Sequence, residues 1–161
     1  MRCILAVLAS FVALLASGLI YLFWPTSGML ASQAARNDIP GLKRSLLLGA
    51  DINGPSMWGW KGNNEGITPL TAAVSYANAG TVRFLLSRGA DPNRRDGFGS
   101  PPIWGAAVRG ELEIYRVLVE SGADPALLNW DGGARKPAWE SALDLGHGEV
   151  GEYLRGHLRK E

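Results

Sequence analysis

Apolar positions along this chain follow two regimes. From Ile4 to Trp24 the sequence reads ILAVLASFVALLASGLIYLFW, 21 residues without a charge or a proline. Beyond Met29, apolar residues recur in short runs at helical spacing, divided by glycine and proline. The first regime predicts one helix that is apolar on every face. About 20 such residues at a 1.5 Å rise match a hydrocarbon core about 30 Å thick. Tyr21, Phe23 and Trp24 stand at the far end, where aromatic rings favour the membrane interface. Pro25 then ends the helix.

The second regime is periodic. Gly89-Ala90-Asp91-Pro92 returns as Gly122-Ala123-Asp124-Pro125, a step of 33. Gly49-Ala50-Asp51-Ile52-Asn53 is an earlier copy, 40 residues before the second. Upstream of each copy lies a leucine- or valine-rich run, and upstream of that a small-residue run: Gln33-Ala34-Ala35, Leu70-Thr71-Ala72-Ala73 and Ile103-Trp104-Gly105-Ala106-Ala107. The alanines let a short helix approach its neighbours closely. Val82, Leu85 and Leu86 form an apolar stripe on a second helix, as do Ile114, Val117 and Leu118. Gly89 and Gly122 then end the helix in a left-handed conformation that spares a Cβ clash. Each unit reads helix, turn, helix, glycine stop and extended loop. One unit cannot bury both its helices, so units must stack.

Ile67-Thr68-Pro69-Leu70-Thr71-Ala72-Ala73 resembles the T-P-L-H-x-A-A signature of ankyrin repeats, and Gly89-Ala90-Asp91-Pro92-Asn93 resembles their G-A-D-P-N ending. Gly146-His147-Gly148-Glu149-Val150 is similar to the G-H-x-E-I that joins the two helices. The step of 33 is the period of that family. The resemblance implies an all-α ankyrin-repeat solenoid over residues 26–161, behind an N-terminal transmembrane segment at 1–25. Four repeats are expected, at about 29–55, 66–97, 99–131 and 136–161. Glu152, Arg155, His157, Arg159 and Lys160 give the last helix the polar face of a terminal cap. The chain departs from the pattern where the family has Thr and His: Pro101 and Trp104 stand there in the third repeat, and Thr71 replaces His in the second. The Thr–His bonding of the turn is thus lost or replaced, which predicts modest stability.

Charge narrows the function classes. The 16 basic and 15 acidic residues give a formal net charge of +1, without the basic excess of a nucleic-acid binder. A single cysteine, Cys3, permits no internal disulfide and no Cys/His metal set. Positive charge stays on the cytoplasmic side, so Arg2 places the N-terminus inside and the repeats in the periplasm or its equivalent. The expected location is therefore the inner (plasma) membrane, spanned once by residues 4–24. The alternative is a signal peptide cut near Ala16-Ser17-Gly18, which releases the domain to the periplasm or medium.

The loop Gly54–Gly66 exceeds the family spacing by about seven residues and carries Trp58 and Trp60. Long loops are surface features that commonly carry function, and tryptophan is enriched at binding hot spots. The resemblance makes such loops fingers beside a concave, partner-gripping face. The next fingers carry Arg94, Arg95 and Phe98, then Trp130. These six residues are the expected partner-binding site; the competing role for Trp58 and Trp60 is packing onto the first helix pair, or contact with the membrane interface. Arg83, Arg88, Arg94, Arg95 and Arg109 form an expected local basic cluster, read as a solvated face, with attraction of an acidic partner surface as the competing role. Trp104 and Trp139 are expected to pack on adjacent repeats, stacking on each other. His147 is expected to be a structural turn residue, and no catalytic set, cofactor, metal or small-molecule substrate is expected. The expected function is protein binding, in the form of an inhibitor or immunity protein against a secreted toxin, or else an accessory scaffold holding a periplasmic stress or redox enzyme at the membrane.

Overall fold

The computed structural model describes residues 27–56, 66–131 and 134–158. The apolar segment 4–24, with Trp58 and Trp60, lies outside the described residues. Among the described residues no helix is long and apolar enough to cross a membrane. Four helix pairs follow one another: α1 (Ser27–Ala35) with α2 (Ile39–Leu47), α3 (Pro69–Ser75) with α4 (Ala79–Ser87), α5 (Pro102–Arg109) with α6 (Leu112–Glu120), and α7 (Ala138–Asp144) with α8 (Gly148–Leu158). Within each pair a turn of two or three residues reverses the chain, so the two helices run antiparallel. The first helices stack in the order α1, α3, α5, α7, and α4, α6 and α8 stack behind them.

The alternation of small and branched side chains explains the layering. Ala72, Ala73, Ala106, Ala107, Ala138 and Ala142 are buried in the first helices, where they let neighbouring backbones come close. Val82, Leu85, Ile114, Val117 and Leu118 fill the space behind them. Gly89 and Gly122 stop their helices at φ of 89° and 91°, as the repeat spacing predicts.

The missing Thr–His pair is replaced in the second repeat. The Thr68 hydroxyl accepts from the Thr71 backbone N–H at 3.1 Å and meets the Thr71 hydroxyl at 2.9 Å, both buried. In the third and fourth repeats Pro101 and Pro137 take the N-cap position, and neither has a side-chain cap bond. Repeats are also tied by side chains the motifs did not reveal. Asn78 donates its amide to the carbonyls of Ala34 and Ala35 at the end of α1, each at 3.1 Å. The Thr81 hydroxyl donates to Asn37 Oδ1 at 2.6 Å.

Two expectations need correction. The fold is mostly helical, not all-α: β1 (Leu128–Asp131) and β2 (Ala134–Pro137) pair antiparallel, Leu128 opposite Pro137 and Trp130 opposite Arg135. β1 alternates apolar and polar residues over only four positions and β2 does not alternate, so no sustained strand period marks the hairpin. Trp104 and Trp139 each pack on the core, but among the described residues the aromatic pair between repeats is Tyr115 with Tyr153, edge to face at 6.1 Å.

The interhelix turns hold left-handed residues at Asn37, Ala77, Gly110 and Gly146. Ala77 is the strained member, at φ 53°. A left-handed Cβ costs about 1–2 kcal/mol, more than the 0.4–1 kcal/mol by which glycine favours the unfolded chain. Ala77→Gly is therefore expected to raise stability, by about 0.5–1 kcal/mol, as a higher denaturant midpoint with unchanged slope.

Candidate functional site: the fingers and the groove beside them

Each finger begins where a second helix ends, and an Asp–x–Asn pattern gives it shape. Asp51 Oδ1 accepts from the Asn53 N–H at 2.9 Å, and Asp91 Oδ1 from the Asn93 N–H at 2.8 Å. The asparagines then reach the next repeat. Asn53 Oδ1 accepts from the Asp91 N–H, and Asn93 Oδ1 from the Asp124 N–H, both at 2.8 Å. Asn93 also donates to the Gly122 carbonyl at 3.0 Å. Ala126 stands where a third asparagine would continue this ladder, so it ends there. The ladder fixes finger spacing before any partner arrives.

The second finger folds around Asp96. Its Oδ1 accepts from the N–H groups of Phe98 and Ser100, both at 2.9 Å. Burial pushes this carboxyl above the usual carboxylate range, and the two backbone donors pull the other way. The net rise means the native state holds the proton more tightly than the unfolded chain. This group's contribution to stability therefore falls as pH rises through the carboxylate range. Asp96→Asn keeps the acceptor and removes the charge, and is expected to flatten that dependence while leaving stability at neutral pH unchanged or slightly higher. Asp96→Ala, which orphans two donors, is expected to cost about 1–3 kcal/mol. Chemical denaturation across the carboxylate pH range checks both.

The expected site residues separate on inspection. Phe98 projects into solvent with 64% of its surface exposed, and Arg94 is exposed beside it. Arg95 is committed elsewhere: its guanidinium donates to the Gly99 carbonyl at 2.5 Å and the Leu128 carbonyl at 2.9 Å. It clamps the second finger to the hairpin and so is a positioning residue. The backbone of Trp130 lies in β1 opposite Arg135. The expected basic cluster is dispersed: Arg83 pairs with Glu113 at 3.2 Å, Arg88 lies over the Phe84 ring, and Arg95 binds carbonyls.

A groove runs beside the fingers. Thr71 and Ser75 of α3, Trp104 and Arg109 of α5, and Asp96 and Phe98 of the finger line about 630 Å³ of open space. Trp104 forms part of its wall, and its buried indole N–H has no acceptor. Between the fingers, Phe98, Leu128 and Arg135 border a second hollow of about 540 Å³. Tyr76, 66% exposed at the end of α3, borders a third with Met29 and Arg36. Tyr76, Leu128 and Arg135 were missed in the sequence. Tyr76 alone carried a signal there, as an aromatic one residue past a helix end.

His147 sits at the end of the last interhelix turn, just before α8, its imidazole packed against Gly110 so closely that a Cβ there would meet Nδ1 at 2.6 Å. It spaces two repeats. Among the described residues no group of three or more His, Cys, Asp or Glu is placed to hold a metal ion.

Stacked antiparallel helix pairs, left-handed stops and laddered fingers define a repeat scaffold with one grooved face. A profile of three ankyrin repeats matches residues 29–129, and the chain belongs to the ankyrin-repeat family. It is 30% identical over 122 residues to ankyrin repeat domain-containing protein 37 of Xenopus tropicalis, covering 76% of this chain and 69% of that protein. It is 34% identical over 105 residues to zinc finger CCCH domain-containing protein 50 of Oryza sativa subsp. japonica, covering 58% of this chain. It is 35% identical over 106 residues to the mouse B-cell lymphoma 3 protein homolog, covering 63% of this chain. The chain spans only 16% and 22% of the length of these last two. At the level these likenesses share, the chain is an ankyrin-repeat protein-binding module.

Proposed function

We propose that the chain is a single-pass membrane protein whose repeats face the extracytoplasmic side and capture one protein partner, without catalysis. The observation that carries the binding reading is the groove of α3, α5 and the second finger, with Phe98 exposed at its rim. A rigid, pre-spaced aromatic and basic edge is the composition of binding hot spots. The anchoring reading rests on the 21 uncharged residues from Ile4 to Trp24. The partner-binding residues are Trp58, Trp60, Arg94, Phe98 and Trp130, with Arg95 holding the fingers in place. The most economical form of this function is an inhibitor, such as an immunity protein that meets a secreted toxin at the membrane: a short anchor, few repeats and a decorated finger edge suffice for it.

Affinity capture with the full chain from native membranes, read by mass spectrometry, is expected to yield one dominant stoichiometric protein. Trp58→Ala with Trp60→Ala is expected to abolish capture while the circular dichroism spectrum stays the same. Recovery of background proteins alone contradicts the reading. Unfolding of the double variant assigns the two tryptophans to local packing instead.

A further inference from the structure

The end of α2 carries a different chemistry from the groove. α2 has the sequence IPGLKRSLL, with Lys43 and Arg44 and no acidic residue. Leu42 and Ser45 face the core, which turns Arg44, Leu47 and Leu48 outward on a shared face, three and four residues apart. Leu47 is 87% exposed and Leu48 is 54% exposed. A single exposed leucine is ordinary, but two in succession beside two cations form a patch.

The neighbouring repeat extends it. Lys43 Nζ lies 5.9 Å and Arg88 Cζ 5.3 Å from the centroid of the same Phe84 ring. Two cations thus converge on one aromatic face. None of the residues lining the hollow between them is acidic, and among the described residues neither cation makes an ion pair. An anion between Lys43 and Arg88 would relieve their repulsion.

Position supplies the occupant. α1 and α2 are antiparallel, so the end of α2 returns to the level at which α1 begins. Leu47 and Leu48 therefore lie at the end of the pair where Ser27 leads back to the apolar run. Trp24 and Ser27 are three residues apart, which spans at most about 10 Å. A segment 4–24 that crosses a bilayer holds this end of the first pair within reach of the lipid headgroups.

We infer that this end of the first two helix pairs seats on an anionic phospholipid surface, with Leu47 and Leu48 entering the interface and Lys43, Arg44 and Arg88 meeting headgroup phosphates. The inference rests on the anchoring of residues 4–24 proposed above. Apolar insertion and basic attraction act together in such contacts. The seating orients the domain relative to the bilayer.

The full chain is reconstituted into vesicles of phosphatidylcholine alone or mixed with phosphatidylglycerol. In a Cys3→Ser background, an environment-sensitive fluorophore is placed at Leu47→Cys or, as a distant control, at Glu149→Cys. Brominated lipids are expected to quench the probe at 47 in the anionic vesicles and leave the probe at 149 unchanged. Lys43→Glu with Arg88→Glu is expected to remove that quenching, as is about 1 M salt, where the screening length falls to about 3 Å. Alkaline carbonate extraction reads the anchor separately. A chain that resists carbonate but shows no quenching at 47 overturns the seating alone. A chain that carbonate releases overturns the anchoring, and the seating with it. Quenching that ignores lipid charge and the two reversals, or a probe at 47 shielded by cross-linkable contact with a second copy, also overturns it.

Discussion

Leu118→Ala is expected to lower the unfolding free energy by about 2–5 kcal/mol, the usual cost of a leucine-sized cavity in a core that cannot collapse. Leu118 is fully buried on α6, which packs against α5 within its own pair, α4 before it and α8 after it. The cavity therefore opens at the junction of three pairs. Domains of this size hold about 5–15 kcal/mol in all, so the loss is a large share of the total. In a stack, stability is a sum of units and their interfaces, and a defect in the third pair also loosens its grip on the fourth. Two further features weaken that end: two proline N-caps without side-chain bonds, and an Asp–x–Asn ladder that stops at Ala126. The variant is thus expected to unfold in two steps by chemical denaturation, with α7 and α8 lost first. Leu47→Ala, at an exposed position on the same kind of helix, is expected to stay within about 0.5 kcal/mol of the parent. A cost below about 1 kcal/mol for Leu118→Ala contradicts the packing described.

The second large effect concerns binding. Phe98→Ala with Arg94→Ala is expected to weaken partner affinity at least about 30-fold. Removing one hot-spot side chain commonly costs 2 kcal/mol or more, and each 1.4 kcal/mol is tenfold. Both residues are exposed and neither side chain holds the finger, so the denaturation midpoint is expected to stay where it is. Arg95→Ala is the informative contrast. It removes one bond within the second finger and one from that finger to the hairpin, so it is expected to raise hydrogen exchange over 128–137 and to weaken binding indirectly. Calorimetry with the captured partner separates the two variants. Equal affinity for the parent and the Phe98–Arg94 variant removes the finger edge from the site.

Much of the scaffold was legible because its signals are local. Gly89 and Gly122 end helices by a backbone preference that any sequence reader can apply, and the alanines and branched residues sort by helical period. The ladder was partly legible: Asp51-x-Asn53 and Asp91-x-Asn93 repeat visibly, but the backbone N–H that each asparagine oxygen accepts from lies in another repeat and has no sequence mark. The bonds of Arg95 were hidden for the same reason. An arginine reaching a backbone carbonyl 33 residues away looks, in sequence, like an arginine reaching solvent. The hairpin of β1 and β2 escaped because LNWD alternates over only four residues and ARKP does not alternate, and the strands exist through their pairing with each other and the neighbouring finger. Tyr76, Leu128 and Arg135 joined the candidate site only when the fold brought three repeats to one face.

The central claim is that a partner is gripped by the fingers and first helices, with the second helices left outside the contact. Hydrogen exchange on the full chain, alone and with its captured partner, tests it most directly. The expected result is slowed exchange over 66–76, 94–109 and 128–137, with α4 and α6 unchanged. Protection confined to α4 and α6, with the fingers exchanging as freely as in the unbound chain, would contradict the claim.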